Sequence, residues 1–309
     1  MAFDPHATSF SMANAQMLAQ AAAVAYDTPE RCAKWAKVSG FTGAFDFFDN
    51  QDTQGFVAES DDAIIVAFRG TQPDRPMDWF VDFRATCDPW DHKDAGKVHS
   101  GFYGALRKVW GVTLPAGEIL PRRLVNRGSK RIWIAGHSLG GALAELCAAQ
   151  ALFVSKIPVQ GVYTFGQPRV GTKDFADAVN AKLGSGIFRF VNDRDIVPRV
   201  PLFSMGFCHY GSQRFFDHAG EASVADSAVE TIKDAFTLAK GAVNLAVLGQ
   251  VGGLLTDGFK HVLSGGFTDE QERAFRERAI EILKGGVEKI DDHSMHKHYL
   301  VRLKTSLPV

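Results

Sequence analysis

The chain has 309 residues, 46% of them hydrophobic and 22% charged, with a formal net charge of -1. That is enough apolar material for a full core, and the length points to a single domain over residues 1–309 that carries an insertion. The near-neutral balance gives no electrostatic reason to expect nucleic acid as a partner, and any membrane contact would have to be apolar.

Residues 1–20 lack a positively charged start and a sustained apolar run before a small-residue cleavage site, so no secretory signal is visible, although a trimmed form would look the same. The four cysteines, Cys32, Cys87, Cys147 and Cys208, are scattered and show neither metal-ligand pairing nor a dense disulfide framework. Both features lean towards a cytoplasmic setting without excluding secretion.

In chain order, the alanine-rich stretch Asn14 to Tyr26 reads as a helix, with Pro29 after its end. Phe45 to Phe48, Gly55 to Ala58 and the continuous apolar run Ala63 to Phe68 read as strands. Asp46, Asp49, Asn50 and Asp52 miss the spacing of an EF-hand, so a hairpin turn with solvated carboxylates is expected there. The segment Gln72 to Gly96, with Met77, Trp79, Phe80, Val81, Phe83 and Trp90, is too apolar for an ordinary exposed loop. Arg131 to Ala135 predicts a strand and Ala142 to Val154 a helix. Tyr163 to Gly166 and Ile187 to Val191 are short β-rich runs with a helix, Lys173 to Leu183, between them, a spacing that argues for parallel βαβ units. Residues 220–289 differ in character. They hold the helix-compatible stretch Ala225 to Leu255, broken by glycines, and a charged helix expected from about Thr268 to Lys284, where Thr268 with Gln271 resembles a capping box. Phe236 to Leu255 is nearly long enough to span a bilayer, but Lys240, Asn244, Gln250 and three glycines interrupt it, which favours a buried or cap helix.

The chemistry centres on Gly136-His137-Ser138-Leu139-Gly140, which lies between the predicted strand and the predicted helix. A serine flanked by glycines at such a turn is the nucleophile elbow of a serine hydrolase, because only glycines fit where the backbone must turn sharply and lift the hydroxyl over the strand ends. A serine hydroxyl needs a base to take its proton and an acid to orient that base. Asp195, just past the strand that ends at Val191, is the chosen acid, with Asp193 as its competitor. His293 is the chosen base, sitting on a loop before the helix-like Ser294 to Leu303, and His296 is its rival. The histidine cluster contains no HExxH pattern, so neither a metal nor an organic cofactor is implied.

These motifs together resemble the class 3 lipase family, the α/β-hydrolases similar to fungal triacylglycerol lipases. The matching residues are Ala67-Phe68-Arg69-Gly70-Thr71, Trp79 with Asp82, Val98 to Phe102, Gly136 to Gly141, Tyr163 to Gly171 and Asp195 to Pro201. The resemblance implies an α/β-hydrolase fold with a mostly parallel central sheet, helices on both faces and a helical insertion before the catalytic histidine. It makes Asp195 the triad acid and gives the oxyanion hole to Thr71 and the backbone N–H of Leu139. It makes residues 72–96 a lid whose Trp79 and Phe80 meet substrate. Residues 220–289, longer here than in compact fungal members, would form a cap-like insertion. The implied activity is carboxylic ester hydrolysis, that of a lipase acting on acylglycerol or related fatty-acyl esters and touching a lipid interface transiently. The alternatives are an esterase for short-chain or aryl esters, similar to feruloyl esterases, and a non-catalytic lipase-like binding module. Oligomeric state is not readable.

Overall fold

The computed structural model describes residues 2–50, 53–70, 86–92, 95–111, 115–192, 195, 197–201, 206–216, 222–225, 293–305 and 307. Helix α1 (Met12–Val24) is capped by the Ser11 side chain, which accepts from the Asn14 amide, and α2 (Pro29–Val38) by Thr28, with Pro29 in its first turn. Strands β1 (Phe45–Asn50), β2 (Thr53–Glu59) and β3 (Ala63–Phe68) form an antiparallel meander. Short strands β4 (Cys87–Pro89) and β5 (Lys97–His99) follow, then α3 (Ser100–Val109) and α4 (Pro115–Val125). The centre of the chain runs β6 (Arg131–His137), α5 (Leu139–Ala149), β7 (Gly161–Phe165), β8 (Gly171–Thr172), α6 (Lys173–Leu183) and β9 (Ile187–Asn192). Strands β10 (Phe207–Cys208), β11 (Ser212–Phe216) and β12 (Ala222–Ala225) complete the sheets.

The main sheet has the order β1-β2-β3-β6-β7-β9-β11-β12. Strands β3, β6, β7, β9 and β11 pair parallel to one another, and antiparallel strands close both edges. Parallel strands need helical crossovers that cover both faces, so their residues must be apolar throughout. Strand β3 shows this directly: all six residues are buried, with Ile64, Val66 and Phe68 in one core and Ala63, Ile65 and Ala67 in the other. Helices α3, α4, α5 and α6 supply the first core, while α1, α2 and the C-terminal segment supply the second. A small antiparallel sheet, β10-β8-β5-β4, lies apart from the main one.

The C-terminal segment is pinned rather than merely packed. A π-helical turn, Met295–Tyr299, capped by Ser294, runs into the short helix Leu300–Arg302. Met295, Tyr299, Leu300 and Leu303 bury into the second core. From α1, the Gln16 side chain donates to the Leu303 carbonyl at 2.9 Å and the Gln20 side chain to the Thr305 hydroxyl at 2.6 Å.

The three early strands, the βαβ units and the helix at Lys173–Leu183 lie where the sequence predicts them. Helix α5 begins at Leu139, three residues ahead of expectation, and its last turn, Gln150–Val154, is π-helical. Helix α2 starts at Pro29, which the sequence reading took for a terminator; Thr28 before it is the cap that reading lacked. Ala225, expected to open a helix, instead closes strand β12. Its pairing with β11 is a tertiary contact that local helix compatibility does not register. The rest of the expected cap, including Thr268 and Gln271, lies outside the described residues. The same holds for 72–85 and 93–94 of the lid segment. Its far end is described: Cys87–Pro89 is a strand, and Trp90 is buried against Tyr103 and Phe175 at ring distances of 5.1 and 5.4 Å. Of the four carboxylate-turn residues, Asp46 pairs with Arg123, and Asp49 accepts from Gln54 at 2.6 Å. Among the described residues, no helix is long and apolar enough to cross a membrane and no side-chain cluster is arranged to hold a metal ion.

Candidate active site

Strand β6 delivers Ser138 to the carboxyl end of the sheet with φ 58° and ψ -130°. A non-glycine residue at positive φ is strained, and it persists only where its surroundings enforce it. Two glycines do so by letting the backbones close up. A Cβ on Gly136 would fall 2.1 Å from the Gly140 carbonyl oxygen, and one on Gly140 would fall 2.3 Å from that of Phe68. The Ser138 amide is fixed by the Phe165 carbonyl at 2.9 Å. Ser138 also occupies the N-cap of α5, yet its side chain makes no capping hydrogen bond, so the hydroxyl is not consumed by the helix. Leu139 opens that helix, and a first-turn amide has no intrahelical acceptor, which leaves its N–H a donor at the positive end of the helix dipole.

Asp195 and His293 are 98 residues apart and meet here. His293 Nδ1 lies 3.0 Å from Asp195 Oδ1 and 2.8 Å from Oδ2. Both residues are buried. Two further groups hold the carboxylate: the Val197 amide donates to Oδ1 at 3.0 Å and the Tyr299 hydroxyl to Oδ2 at 2.6 Å. The tyrosine in turn accepts from the Asn192 amide at 3.1 Å, which ties the acid to the end of β9. Burial, and then the neighbouring Asp195, raise the Tyr299 hydroxyl well above its ordinary pKa, so it stays a donor. With Nδ1 engaged by the carboxylate, His293 presents Nε2, which is buried and has no hydrogen-bond partner among the described residues.

Gly166, at the end of β7, makes room for this pair. Its φ of +58° favours glycine, and a Cβ there would lie 2.7 Å from Asp195 Oδ2 and 2.8 Å from His293 Cε1 and Nδ1. His137, next to the serine, stacks on His293 with ring centroids 4.5 Å apart. Burial first, and then the proximity of His293, hold His137 well below the usual histidine pKa.

Ser138, Leu139, Asp195 and His293 therefore gather at the ends of β6, β7 and β9. The rival base His296 is exposed. The rival acid Asp193 lies outside the described residues, as do Thr71, Trp79 and Phe80. The sequence reading missed Gly166 and Tyr299. The glycine ending Tyr163-Thr164-Phe165-Gly166 was a usable signal, since a glycine closing a central strand marks a close approach. The tyrosine carries no local signal.

A mostly parallel sheet covered by helices on both faces, with an elbow serine and a late acid and histidine, defines an α/β-hydrolase. The model of the class 3 lipase family matches residues 65–205. Over 200 residues the chain is 28% identical to the secreted mono- and diacylglycerol lipase A of Penicillium cyclopium, covering 63% of each chain. Over 192 residues it is 32% identical to a lipase of Rhizomucor miehei, covering 59% of this chain and 48% of that one. The chain thus spans about half to two thirds of the length of these curated relatives. A solved structure of a triacylglycerol lipase, described as having a serine protease triad at its catalytic centre, superposes with a TM-score of 0.57 at 27% identity, covering 71% of this chain and 84% of that one.

Proposed function

We propose that the protein is a serine carboxylic ester hydrolase, a lipase that cleaves acylglycerols or related fatty-acyl esters through an acyl-enzyme. The observation that carries this reading is the Asp195–His293 pair, its imidazole stacked on His137 directly before Ser138, with the second imidazole nitrogen unpartnered among the described residues and the serine hydroxyl not used as a cap. Ser138 Oγ attacks the ester carbonyl while His293 Nε2 takes its proton, and the imidazolium is stabilised by Asp195. The same proton then goes to the leaving alcohol. Water repeats the sequence on the acyl-enzyme, with His293 again as base. The charge on the former carbonyl oxygen falls to the Leu139 N–H at the start of α5 and to Thr71, each such donor being worth roughly 3 to 4 kcal/mol. Acylglycerols are named for the Penicillium enzyme and for the solved triacylglycerol lipase, which supports lipase over esterase. Secretion fits the secreted Penicillium relative, whereas the cytoplasmic expectation rests on the scattered cysteines.

A chromogenic acyl ester and a fluorescent organophosphonate test the reaction class. The wild type is expected to turn over the ester and to take one equivalent of probe, while Ser138→Ala does neither. Stoichiometric labelling of Ser138→Ala would remove the assignment, and an inert wild type would leave a binding module. A chain-length series, emulsified against soluble, then separates a lipase, which prefers emulsified long-chain glycerides, from an esterase confined to soluble short-chain or aryl esters.

A further inference from the structure

His137 carries two hydrogen bonds that the triad does not require. Its Nε2 lies 2.7 Å from the His293 backbone carbonyl oxygen, which can only accept, so this nitrogen bears the proton. Nδ1 is then the acceptor, and the Tyr26 hydroxyl, 2.9 Å away, is the donor. The Gly70 backbone packs directly against the tyrosine oxygen. Gly70 has no room for a side chain: a Cβ would fall 2.2 Å from the Tyr26 hydroxyl, 2.6 Å from the His137 carbonyl oxygen and 3.1 Å from Ser138 Cβ. A chain of hydrogen bonds thus joins Tyr26, which packs on Gly70 directly before Thr71, to the residue before the nucleophile and to the backbone of the base.

We infer that Tyr26 and His137 are positioning residues for ester hydrolysis, an inference that rests on the reading of Ser138, His293 and Asp195 as a triad. The Tyr26 hydroxyl fixes the His137 tautomer whose Nε2–H holds the His293 carbonyl, and it occupies the one nitrogen through which His137 could gain a proton. Both effects serve the base. Asp195 sets the direction of the His293 ring through Nδ1, whereas His137 sets the height of the His293 backbone above the nucleophile strand. An uncharged His137 also matters electrostatically. Its ring lies 4.5 Å from the ring that becomes an imidazolium during attack, and a second positive charge there would oppose that step. Among the described residues, the groups facing His137 are Tyr26 from the turn after α1, and His293, His296 and Tyr299 from the C-terminal segment; Arg69 acts on Tyr26 from the end of β3. Apart from Tyr26 none of these donates to Nδ1, so removing the phenol hydroxyl opens that nitrogen to protonation.

The test is kinetics per active site titrated with the organophosphonate, on a soluble short-chain ester. Tyr26→Phe is expected to lower kcat roughly 10-fold with KM changed less than about 2-fold, and to move the acid limb of kcat/KM up by about half a pH unit or more. His137→Gln keeps a side-chain N–H for the His293 carbonyl and cannot take up a proton. Combined with Tyr26→Phe, it should return the acid limb to its wild-type position. A Tyr26→Phe enzyme with wild-type kcat per titrated site and an unmoved acid limb overturns the inference, even if fewer sites titrate, because that pattern is lost folding alone. If the double variant does not fold, Tyr26→Phe decides by itself. A wild type that neither labels nor hydrolyses any ester overturns the hydrolase reading instead.

Discussion

The elbow and the acid–base pair are built in opposite ways. The elbow is local: five consecutive residues, Gly136 to Gly140, carry the turn, the strain at Ser138 and the start of α5. The pair is assembled from remote pieces. Asp195 follows β9, His293 begins the C-terminal segment, Tyr299 braces the acid from one side, and Gly166 clears the space from β7. A local device fails through its backbone. An assembled one fails through the side chains that meet in it, and substitutions can tell the two apart.

The sharpest break is Ser138→Ala, which should lower kcat by about 10⁴ to 10⁶-fold with an unchanged far-UV spectrum and cooperative melt, since it removes the proposed nucleophile and leaves the glycines in place. On the assembled side, His293→Ala should cost nearly as much, while exposed His296→Ala should cost less than about 10-fold. The reverse order would transfer the base by one helical turn.

Two glycine substitutions sharpen the contrast further. At Gly136 a Cβ meets backbone atoms of Gly140, so Gly136→Ala is expected to fail as a fold, read as insoluble protein or a collapsed melting temperature. At Gly166 the Cβ meets Asp195 and His293 side-chain atoms, so Gly166→Ala should stay folded, at a cost of about 1–3 kcal/mol for the forced positive φ, and lose activity by roughly 10²-fold or more. Equal behaviour of the two variants would erase the distinction. Smaller still, Tyr299→Phe removes one of the donors to Asp195 and should lower kcat about 10-fold, checked on the soluble ester.

The smallest effect on catalysis belongs to Glu145, buried in α5 beside Arg189 and Tyr210. Burial pushes its carboxyl up to about 8 from an ordinary value near 4.5. The unfolded chain therefore releases this proton first, so folding stability falls as pH rises from about 4.5 to about 8 and is flat beyond. Glu145→Gln should remove that slope: its advantage in melting temperature over the wild type should be larger at pH 8 than at pH 5, with activity nearly unchanged. A pH-independent difference would refute it.

The same contrast explains what the sequence could tell. Ser138, β3 and the βαβ spacing are written in contiguous residues, where strand period, apolar runs and glycine turns act locally, so they are legible. Asp195 and His293 were narrowed by motif order only to a few neighbouring candidates, because choosing among neighbouring carboxylates or imidazoles needs the contacts of a folded site. Tyr26, His137 and Tyr299 were not legible. A tyrosine hydroxyl 2.6 Å from a carboxylate leaves no pattern in the chain when its partner is 104 residues away. Strand β12 illustrates the same limit in the fold, since Ala222–Ala225 is a strand only because β11 offers it an edge.

The anchoring of the last residues has a consequence for how the protein could be taken apart. His293 reaches the site through Asp195 and His137, and the residues after it dock through Met295, Tyr299, Leu300 and Leu303, and through Gln16 and Gln20 of α1. The base is thus placed by what it touches rather than by the route the chain takes to it, and lengthening a connection costs only about 0.6 kcal/mol per doubling. The segment from His293 onward is in effect a ligand of the rest of the molecule. It is a natural cut point for reconstituting the site from two separately made fragments.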